Sequence, residues 1–242
     1  MEKKKRGSFT GEIGFVLAAA GSAVGLGNLW RFPYLAAQYG GGIFILVYII
    51  LALTFGFTLM TTEIAIGRKT KLSPTRAYKE VDSKFGFIGP IAFIIPVIIL
   101  PYYCVIGGWV TKYVTVFAAG QNIAAAEDSF FGNFIGREYA PLIFFIIFLG
   151  LTSLIVISGV EKGIEKVSSY LMPALIVLAV IICIYVITIP GSSAGIKYYL
   201  LPDFSKFSFK TVCAAMGQMF YSLSIAMGIL ITYGSYMKKD IS

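Results

Sequence analysis

Six long stretches of this sequence carry no charged residue, and they constrain the fold more than any other feature. An apolar run of about 20 residues is long enough to cross the hydrocarbon core of a bilayer as an α-helix. Lipid offers the backbone no hydrogen-bonding partner, so only helices and closed barrels cross it. We therefore predict an all-α integral membrane protein with six spans: Ile13–Trp30, Phe32–Thr62 (the end of the first span, a turn and the second), Phe85–Thr111, Tyr139–Val160, Val167–Ile196 and Thr211–Met237.

Composition and charge agree with this fold class. The chain is 57% hydrophobic and 13% charged, whereas soluble domains carry about 25% charged residues. Of the 20 Lys and Arg residues, 14 fall in segments on the same side of the membrane as the N-terminus, and cytoplasmic loops carry such an excess. We expect a multi-pass protein of the cell inner (plasma) membrane with both termini in the cytoplasm. Because the basic residues lie in loops between spans, the net charge of +8 does not indicate a nucleic-acid partner.

The first span contains a segment that a simple membrane helix does not need. Residues 21–33 read GSAVGLGNLWRFP, with three glycines, an Asn, an Arg and a Pro in an apolar setting. Glycine weakens a helix because it has the most backbone freedom to lose. In lipid, the backbone groups that such a break releases must still find partners. We therefore predict a helix break that lines a cavity and binds a ligand there.

The sixth span repeats this character. Residues 217–228 read GQMFYSLSIAMG and place hydroxyls, an amide and two glycines at mid-depth. Two interrupted spans separated by ordinary ones indicate a transporter built from inverted repeats, with its site at the bilayer midplane. We predict a single transmembrane domain, residues 1–242. Its first five-helix repeat covers residues 1–196, and residues 197–242 hold an outer loop and the first helix of a second, truncated repeat.

The two breaks offer complementary electrostatic poles. The first half of span one ends near Gly21–Ala23, where its carbonyls form the negative end of the helix dipole and suit a cation. Its second half begins near Leu26 to Asn28 with free N–H groups, which suit a carboxylate. The Asn28 amide oxygen and the Ser222 hydroxyl are hard neutral oxygens suited to Na⁺. Neither break contains an acid, so a bound amino acid carboxylate would supply the negative charge.

Several motifs resemble the neurotransmitter:sodium symporter family, in its prokaryotic leucine-transporter branch. The resemblance implies a leucine-transporter-like inverted-repeat fold, represented by its first six transmembrane helices, with helices 1 and 6 broken at mid-membrane. The motifs are GSAVGLGNLWRFPY from Gly21, GGGIF from Gly40, EIAIGR from Glu63, the pair Tyr102-Tyr103, and GQMFYSLS from Gly217.

The resemblance implies a substrate site and two sodium sites. Gly25 stands where amine transporters have Asp, which favours an amino acid, and Met227 stands where the leucine transporter has Phe. The second sodium site is incomplete in this chain, because its hydroxyl ligands lie in an eighth span. The implied substrate-binding residues are Ala23, Gly25, Leu26, Gly27, Ile99, Tyr103, Tyr221, Ser222, Ser224 and Met227. The implied sodium ligands are Ala23, Asn28 and Ser222 in the first site, and Gly21 and Val24 in the second.

The same resemblance implies two gates and a structural acid. Arg31 and Gln218 match the outer gate; Arg6, Phe9 and Tyr236 match the inner gate, where Phe9 replaces the usual Trp. Glu63 is ionisable within an apolar span, and we expect it to bond backbone N–H groups freed at the break in span six. Chloride dependence stays open: the chloride-site positions matched are Tyr48, Gln218 and Ser222, but the deciding residue lies in a seventh span.

Simpler interpretations exist for several of these residues. Gly21 and Gly25 also form a small-residue packing face, and Arg31 could extend to the outer membrane surface. Tyr102 and Tyr103 are also typical interface aromatics. Polar side chains also hydrogen-bond between neighbouring helices, which is the simpler interpretation of Gln218, Ser222 and Ser224.

The function favoured is a sodium-coupled symporter of a small neutral or hydrophobic amino acid, working by alternating access. The alternative is a truncated or non-transporting membrane subunit that needs further helices for activity. An ion channel, a third option, predicts Na⁺ flux without substrate. No nucleophile–base–acid set is visible, so we do not expect an enzyme. The expected partners are an amino acid and membrane lipid, with a homodimer left open.

Overall fold

The apolar stretches fold as helices. The structure is a computed structural model and describes residues 8–25 and 27–237. Within those residues the only β-pairing is one isolated bridge between Gly41 and Pro202. The α-helices are α1 (Glu12–Ala23), α2 (Phe32–Gln38), α3 (Gly42–Leu51), α4 (Phe57–Thr70), α5 (Pro74–Val81), α6 (Ile88–Ala118), α7 (Asn122–Ala125), α8 (Asp128–Ile135), α9 (Ala140–Ile157), α10 (Lys166–Thr188), α11 (Ser192–Leu200), α12 (Phe209–Ser222) and α13 (Ile229–Tyr236).

Short π-helical and 3₁₀ segments lie between several of these α-helices. π-Helical turns cover Gly27–Arg31, Ala52–Gly56 and Val160–Glu165, and 3₁₀ turns cover Ser83–Phe85 and Phe204–Lys206. The π turn at Ala52–Gly56 joins α3 to α4 without interrupting the span. Such turns are frequent at functional sites within helices.

The six predicted spans take three forms. Among the described residues, four continuous helical stretches are long and apolar enough to cross a membrane: Gly42–Thr70, Ser83–Ala118, Ala140–Ile157 and Val160–Thr188. The first predicted span is a bent pair, because α1 and the helical stretch Gly27–Gln38 meet at 51°. The sixth is two short helices, α12 with 14 residues and α13 with 8. The predicted interruptions of spans one and six are therefore present.

The connections hold more helix than their polar composition indicates. The polar connections Gly120–Arg137 and Pro190–Lys210 contain α7, α8 and α11. Helix α6 also runs beyond its predicted end at Thr111 as far as Ala118. Lys112 is accommodated there because its ammonium group lies 6.0 Å from the ring centre of Phe130 and 5.5 Å from that of Phe144.

Contacts divide the chain into two compact units, and the first holds both broken spans. It consists of the described parts of residues 1–93 and 165–242. Within it α3 packs beside α12, α4 beside α13 and α1 beside α10. The second and sixth spans run in the same direction, since Gly42 lies against Leu201 and Gly67 against Ile231. The predicted division at residue 196 concerns sequence repeats and stays a prediction.

One end of the first unit has a small aromatic core. Phe44, Ala36 and Ala215 are fully buried there. The ring of Phe32 lies edge-on to Phe44, at 5.6 Å, and to Tyr48, at 4.9 Å. Helix α11 is attached beside this core, because the hydroxyls of its two adjacent tyrosines donate to backbone carbonyls of α2. These bonds run from Tyr198 to Ala37 at 2.8 Å and from Tyr199 to Pro33 at 2.9 Å.

The second unit covers residues 94–164 and includes most of α6 together with α7, α8 and α9. Helices α6 and α9 approach closely at two adjacent glycines. A Cβ at Gly107 would overlap the ring of Phe148, and one at Gly108 would lie 2.7 Å from the backbone nitrogen of Phe145. These two glycines therefore let α6 approach both a side chain and the backbone of α9, as small residues do in other membrane helix pairs.

Candidate functional site

The first helix break lies between α1 and the π turn Gly27–Arg31. Val24 leaves helical geometry, with φ −93° and ψ 93°, while its N–H still donates to the Ala20 carbonyl at 2.6 Å. The chain then turns at Gly25, whose carbonyl accepts from the N–H of Asn28 at 3.0 Å. The Asn28 side chain donates from Nδ2 to the Ala23 carbonyl at 2.9 Å and so spans the break.

The second break covers residues 223–228, between α12 and α13. Three residues there have positive φ: Ser224 at 53°, Ala226 at 65° and Gly228 at 72°. Two of them are not glycine, and left-handed geometry costs an L-residue roughly 1–2 kcal/mol. Such strained residues cluster at binding sites, where surrounding contacts hold them in place.

Serine hydroxyls join the two breaks directly. Ser224 Oγ donates to the Ser22 carbonyl at 3.0 Å, and Ser22 Oγ donates to Ser224 Oγ at 3.3 Å. The left-handed geometry of Ser224 therefore accompanies a bond to the end of α1. Both residues are at least half-buried, so these bonds lie inside the unit.

Gln218, fully buried on α12, makes a second connection between the breaks. Its Nε2 donates to the Gly27 carbonyl at 3.1 Å and to Ser222 Oγ at 2.8 Å. Its Oε1 accepts from a guanidinium nitrogen of Arg31 at 3.0 Å. The two residues predicted for the outer gate are therefore in direct contact.

The ring of Tyr221 fills the space beside the first break. A Cβ at Gly27 would overlap this ring, whereas a Cβ at Gly25 would meet nothing within 4 Å. The Arg31 guanidinium carbon lies 5.3 Å from the centre of the same ring, within cation–π distance. Glycine at position 27 is thus required by the close approach of α12.

Glu63 supports the second break from α4. Its side chain is 6% exposed, and its Oε1 accepts the N–H of left-handed Ala226 at 2.7 Å. The structure therefore contains the carboxyl-to-backbone contact expected from the sequence. Outside the spans, on α5, burial raises the pKa of the Tyr78 hydroxyl, and the nearby Glu63 carboxylate raises it further.

The oxygen Asn28 Oδ1 fits a bound cation. It is buried and has no hydrogen-bond partner among the described residues, although buried polar atoms are nearly always paired. The Ala23 carbonyl nearby accepts from Asn28 Nδ2, and a carbonyl oxygen has two lone pairs. No group of three or more His, Cys, Asp or Glu in the described part of the chain could hold a metal. At the first break the candidate ligands are neutral oxygens, and these suit an alkali cation.

The structure describes most of the other predicted site residues, but not all of them. Met227 lies within the second break and is half-buried, and Val24 is exposed beside the first. Ile99 and Tyr103 lie one turn apart on α6 in the second unit. Their predicted contacts with substrate stay predictions. Leu26, predicted to bind substrate, and Arg6, predicted for the inner gate, lie outside the described residues.

A cavity of about 330 Å³ adjoins the first break. Three helices line it, and the lining includes several hydroxyl groups. Gly21, predicted as a sodium ligand, is part of its wall. The lining residues are Ala18, Gly21 and Ser22 of α1, Ser168 of α10, and Ile229, Thr232 and Tyr233 of α13.

Two of the residues predicted for the inner gate, Phe9 and Tyr236, meet at the start of α1. Phe9 is fully buried, and its N–H donates to the Tyr236 carbonyl at 3.2 Å. Its ring lies edge-on to Phe15 at 5.6 Å and to Tyr233 at 5.7 Å. Phe9 thus packs the N-terminal segment against α13.

The sequence did not indicate two residues that make central contacts. Ser22 lies inside the glycine-rich segment, but serine is common at helix–helix contacts, so its bond to Ser224 had no distinct signal. Glu165 lies in what the sequence predicts as a short charged turn. The structure buries it to 7% exposure, and both its oxygens accept the Thr10 N–H, at 3.2 and 3.0 Å. An acid flanked by Lys162 and Lys166 reads as surface charge, which hid this role.

Comparison with known proteins agrees with the predicted family. A family model described as the sodium:neurotransmitter symporter family matches residues 6–125 and 133–242. A sodium-dependent transporter of Bacillus subtilis is 34% identical over 247 residues, which cover 99% of this chain and 54% of that protein. A sodium-dependent transporter of Methanocaldococcus jannaschii is 36% identical, covering 99% of this chain and 51% of its own length.

A solved structure also matches. The crystal structure of MhsT in complex with L-phenylalanine superimposes with a TM-score of 0.90 at 36% identity, covering 97% of this chain and 55% of that one. The chain thus spans about half the length of the relatives it matches. These relatives are transporters, in agreement with the expectation that the chain is not an enzyme.

Proposed function

Because the chain belongs to the sodium:neurotransmitter symporter family, we propose that it takes part in sodium-coupled symport of a small neutral or hydrophobic amino acid. One observation carries this proposal: two helix breaks are hydrogen-bonded to each other, and beside them the buried oxygen Asn28 Oδ1 has no partner among the described residues. An oxygen of this kind gains most from a cation. Sodium is the cargo whose gradient drives uptake.

The first sodium ion is coordinated by the Asn28 amide oxygen, the Ala23 carbonyl and the Ser222 hydroxyl, together with the substrate carboxylate. The second uses the carbonyls of Gly21 and Val24 with hydroxyls from an eighth span. Sharing a carboxylate couples the ion to the substrate, because each is bound more tightly when the other is present.

The substrate carboxylate binds at the N-terminal end of the second half-helix, at Leu26 and Gly27, with the Tyr103 hydroxyl. The side-chain pocket is formed by Ile99, Tyr221, Ser224 and Met227. Gly25 leaves no acid for a lone amine, which supports an amino acid over a monoamine. The relative MhsT binds L-phenylalanine in its crystal structure, and this supports an apolar side chain.

Transport proceeds by alternating access between an outer gate, Arg31 with Gln218, and an inner gate, Phe9 with Tyr236 and Arg6. Positively charged inner loops support a plasma-membrane protein with both termini in the cytoplasm. Sodium binding orders the two breaks, and substrate completes the site before the helices rearrange.

The test is uptake and binding with the purified chain in proteoliposomes. We expect binding of tritiated phenylalanine or leucine that depends on Na⁺ and is lost when K⁺ replaces it, and uptake that follows an inward Na⁺ gradient. Sodium-dependent binding without uptake would support the second candidate, a chain that needs further helices for transport. This candidate is favoured by the half-length match to relatives. Na⁺ flux without substrate would indicate a channel, and no sodium-dependent binding would contradict the proposal.

A further inference from the structure

A groove of about 510 Å³ follows one face of α4, outside the site described above. The opposite face of α4 is packed, because Gly67 lies against Ile231 of α13 and Glu63 is buried. The groove residues of α4 recur every three or four positions, so they share one side of the helix. The wall includes Phe57, Thr61, Thr62, Ala65 and Lys69 of α4, and Val81 at the end of α5.

The hydroxyl groups in this wall are bonded within α4 itself. Thr58 donates to the Thr54 carbonyl, Thr61 to the Phe57 carbonyl and Thr62 to the Thr58 carbonyl, each at 2.8 Å. A polar group that already has its hydrogen bond can face an apolar environment at little cost. The wall therefore suits a hydrocarbon chain, although three of its residues are threonines.

The groove is as long as one leaflet of a bilayer is thick. From Phe57 to Lys69 the helix rises about 18 Å, at about 1.5 Å a residue, and half of the hydrocarbon core is about 15 Å. Lys69 lies in the last turn of α4, at the end of the membrane-crossing stretch Gly42–Thr70. The groove therefore runs from the membrane surface towards the middle of the bilayer.

Lys69 places a positive charge at the surface end of the groove. Its side chain is exposed, and no hydrogen bond or ion pair joins it to another residue in the described part of the chain. Residues 68–84 hold six basic and two acidic residues. Of the acids, Asp82 follows Val81 and accepts the N–H of Lys84 at 2.9 Å. Basic clusters beside a membrane helix attract anionic lipid headgroups.

We propose that this groove binds an anionic phospholipid, with one acyl chain along α4 and the headgroup phosphate at Lys69. Acyl chains fill a groove that faces hydrocarbon, and the charge at its end selects a lipid with an anionic headgroup. An apolar helix of another chain would leave Lys69 without a counter-charge, so the lipid is the better occupant. Binding needs neither sodium nor amino acid and is independent of the proposed function.

The test counts bound lipids by native mass spectrometry of the purified chain. Phosphatidylglycerol and phosphatidylcholine with the same acyl chains are titrated separately, and we expect phosphatidylglycerol to bind more tightly. Lys69→Gln should weaken phosphatidylglycerol binding about fivefold and leave phosphatidylcholine binding unchanged. The matched control is Lys84→Gln, which removes the same charge from the same segment outside the groove wall and keeps the parent affinity.

Filling the groove gives a second, independent measurement. Ala65→Phe places a ring in the wall and keeps Lys69, so we expect the affinity for both lipids to fall. Ala174→Phe, at an exposed position of α10, is its control and keeps the parent affinities. Size-exclusion profiles and thermal unfolding check that each variant is folded.

Three results would overturn the proposal. Equal affinities for the two lipids in the parent chain, or equal losses in Lys69→Gln and Lys84→Gln, would show that Lys69 does not select the lipid. Unchanged lipid binding in folded Ala65→Phe would place the lipid elsewhere. A second copy of the chain or another protein that is bound to the parent and released by Ala65→Phe would identify protein as the occupant, because the mass of the complex distinguishes it from lipid.

Discussion

The two helix breaks are held in place by different kinds of residue. The first break uses glycines and an asparagine of its own segment, with Asn28 bonding the Ala23 carbonyl. The second places two residues that are not glycine, Ser224 and Ala226, at positive φ. It is held from outside its own span, by Glu63 of α4 and Ser22 of α1.

This difference indicates which residues stabilise each break. None of the described residues of the first break has a positive φ, so that break carries little of the backbone strain that left-handed geometry costs. A break built from strained residues persists only while its neighbours hold it. The second break should therefore respond to substitutions on other helices, and the first to substitutions within itself.

Removing the support from α4 should have the largest effect. Glu63→Ala leaves the Ala226 N–H without its acceptor, and we expect the free energy of unfolding to fall by about 2–3 kcal/mol. Glu63→Gln keeps an acceptor oxygen and should cost about 1 kcal/mol. Denaturation in detergent, followed by tryptophan fluorescence, measures both. The control is Glu80→Ala, an exposed acid of α5; equal effects at the two acids would mean that the second break does not depend on α4.

Crowding the first break should have the next largest effect. Gly27→Ala places a methyl group into the ring of Tyr221, and overpacking of this kind costs about 2 kcal/mol. Gly25→Ala meets no atom within 4 Å and should be neutral or stabilise by about 0.5 kcal/mol through the unfolded chain. Unfolding curves of the two variants give the comparison directly. A Gly27→Ala variant as stable as Gly25→Ala would show that the breaks are not pressed together.

Deleting the unpaired oxygen should weaken sodium binding. In the parent chain we expect Na⁺, but not K⁺ at equal ionic strength, to raise the unfolding temperature, because a ligand of the folded state stabilises it. Asn28→Ala should raise the apparent Kd for Na⁺ about tenfold, equivalent to about 1.4 kcal/mol. Asn122→Ala, at an exposed position of α7, serves as the control. If the Asn28→Ala variant has the same apparent Kd for Na⁺ as the parent chain, sodium does not bind at this break.

Relieving strain should have the smallest effect and the opposite sign. Ala226→Gly frees a left-handed position with φ 65° and should stabilise the protein by up to about 1 kcal/mol. Ala20→Gly, inside α1, should instead destabilise it by about 0.5–1 kcal/mol. Both are read from the same unfolding experiment. Destabilisation by Ala226→Gly would show that the second break carries no backbone strain at that residue.

Much of this architecture follows from residue type alone. Long uncharged runs predict membrane helices because lipid leaves the backbone no other solution, and the structure has helices there. Glycines and polar residues at mid-depth predict the breaks for the same reason. The motifs around Gly21 and Gln218 predict the family, and the family match confirms it.

Other features depend on contacts between distant residues. Neither serine nor alanine favours positive φ, so no local signal marks Ser224 or Ala226 as left-handed. Glu165 is surrounded by lysines in sequence, and only the approach of Thr10 and Gly14 shows that it is buried. Four predicted roles also stay predictions, those of Ile99, Tyr103, Leu26 and Arg6. They depend on contacts with residues far away in the sequence, which the neighbouring sequence does not determine.

Two glycines at the contact of α4 and α13 have a consequence for motion. A Cβ at Gly67 would overlap the Ile231 carbonyl, and one at Gly234 would lie 2.5 Å from the Ile64 carbonyl. Backbones fitted this tightly cannot slide past one another without separating completely. Helices α4 and α13 should therefore move together as one rigid body. Any change in the angle between α12 and α13 must then occur at residues 223–228.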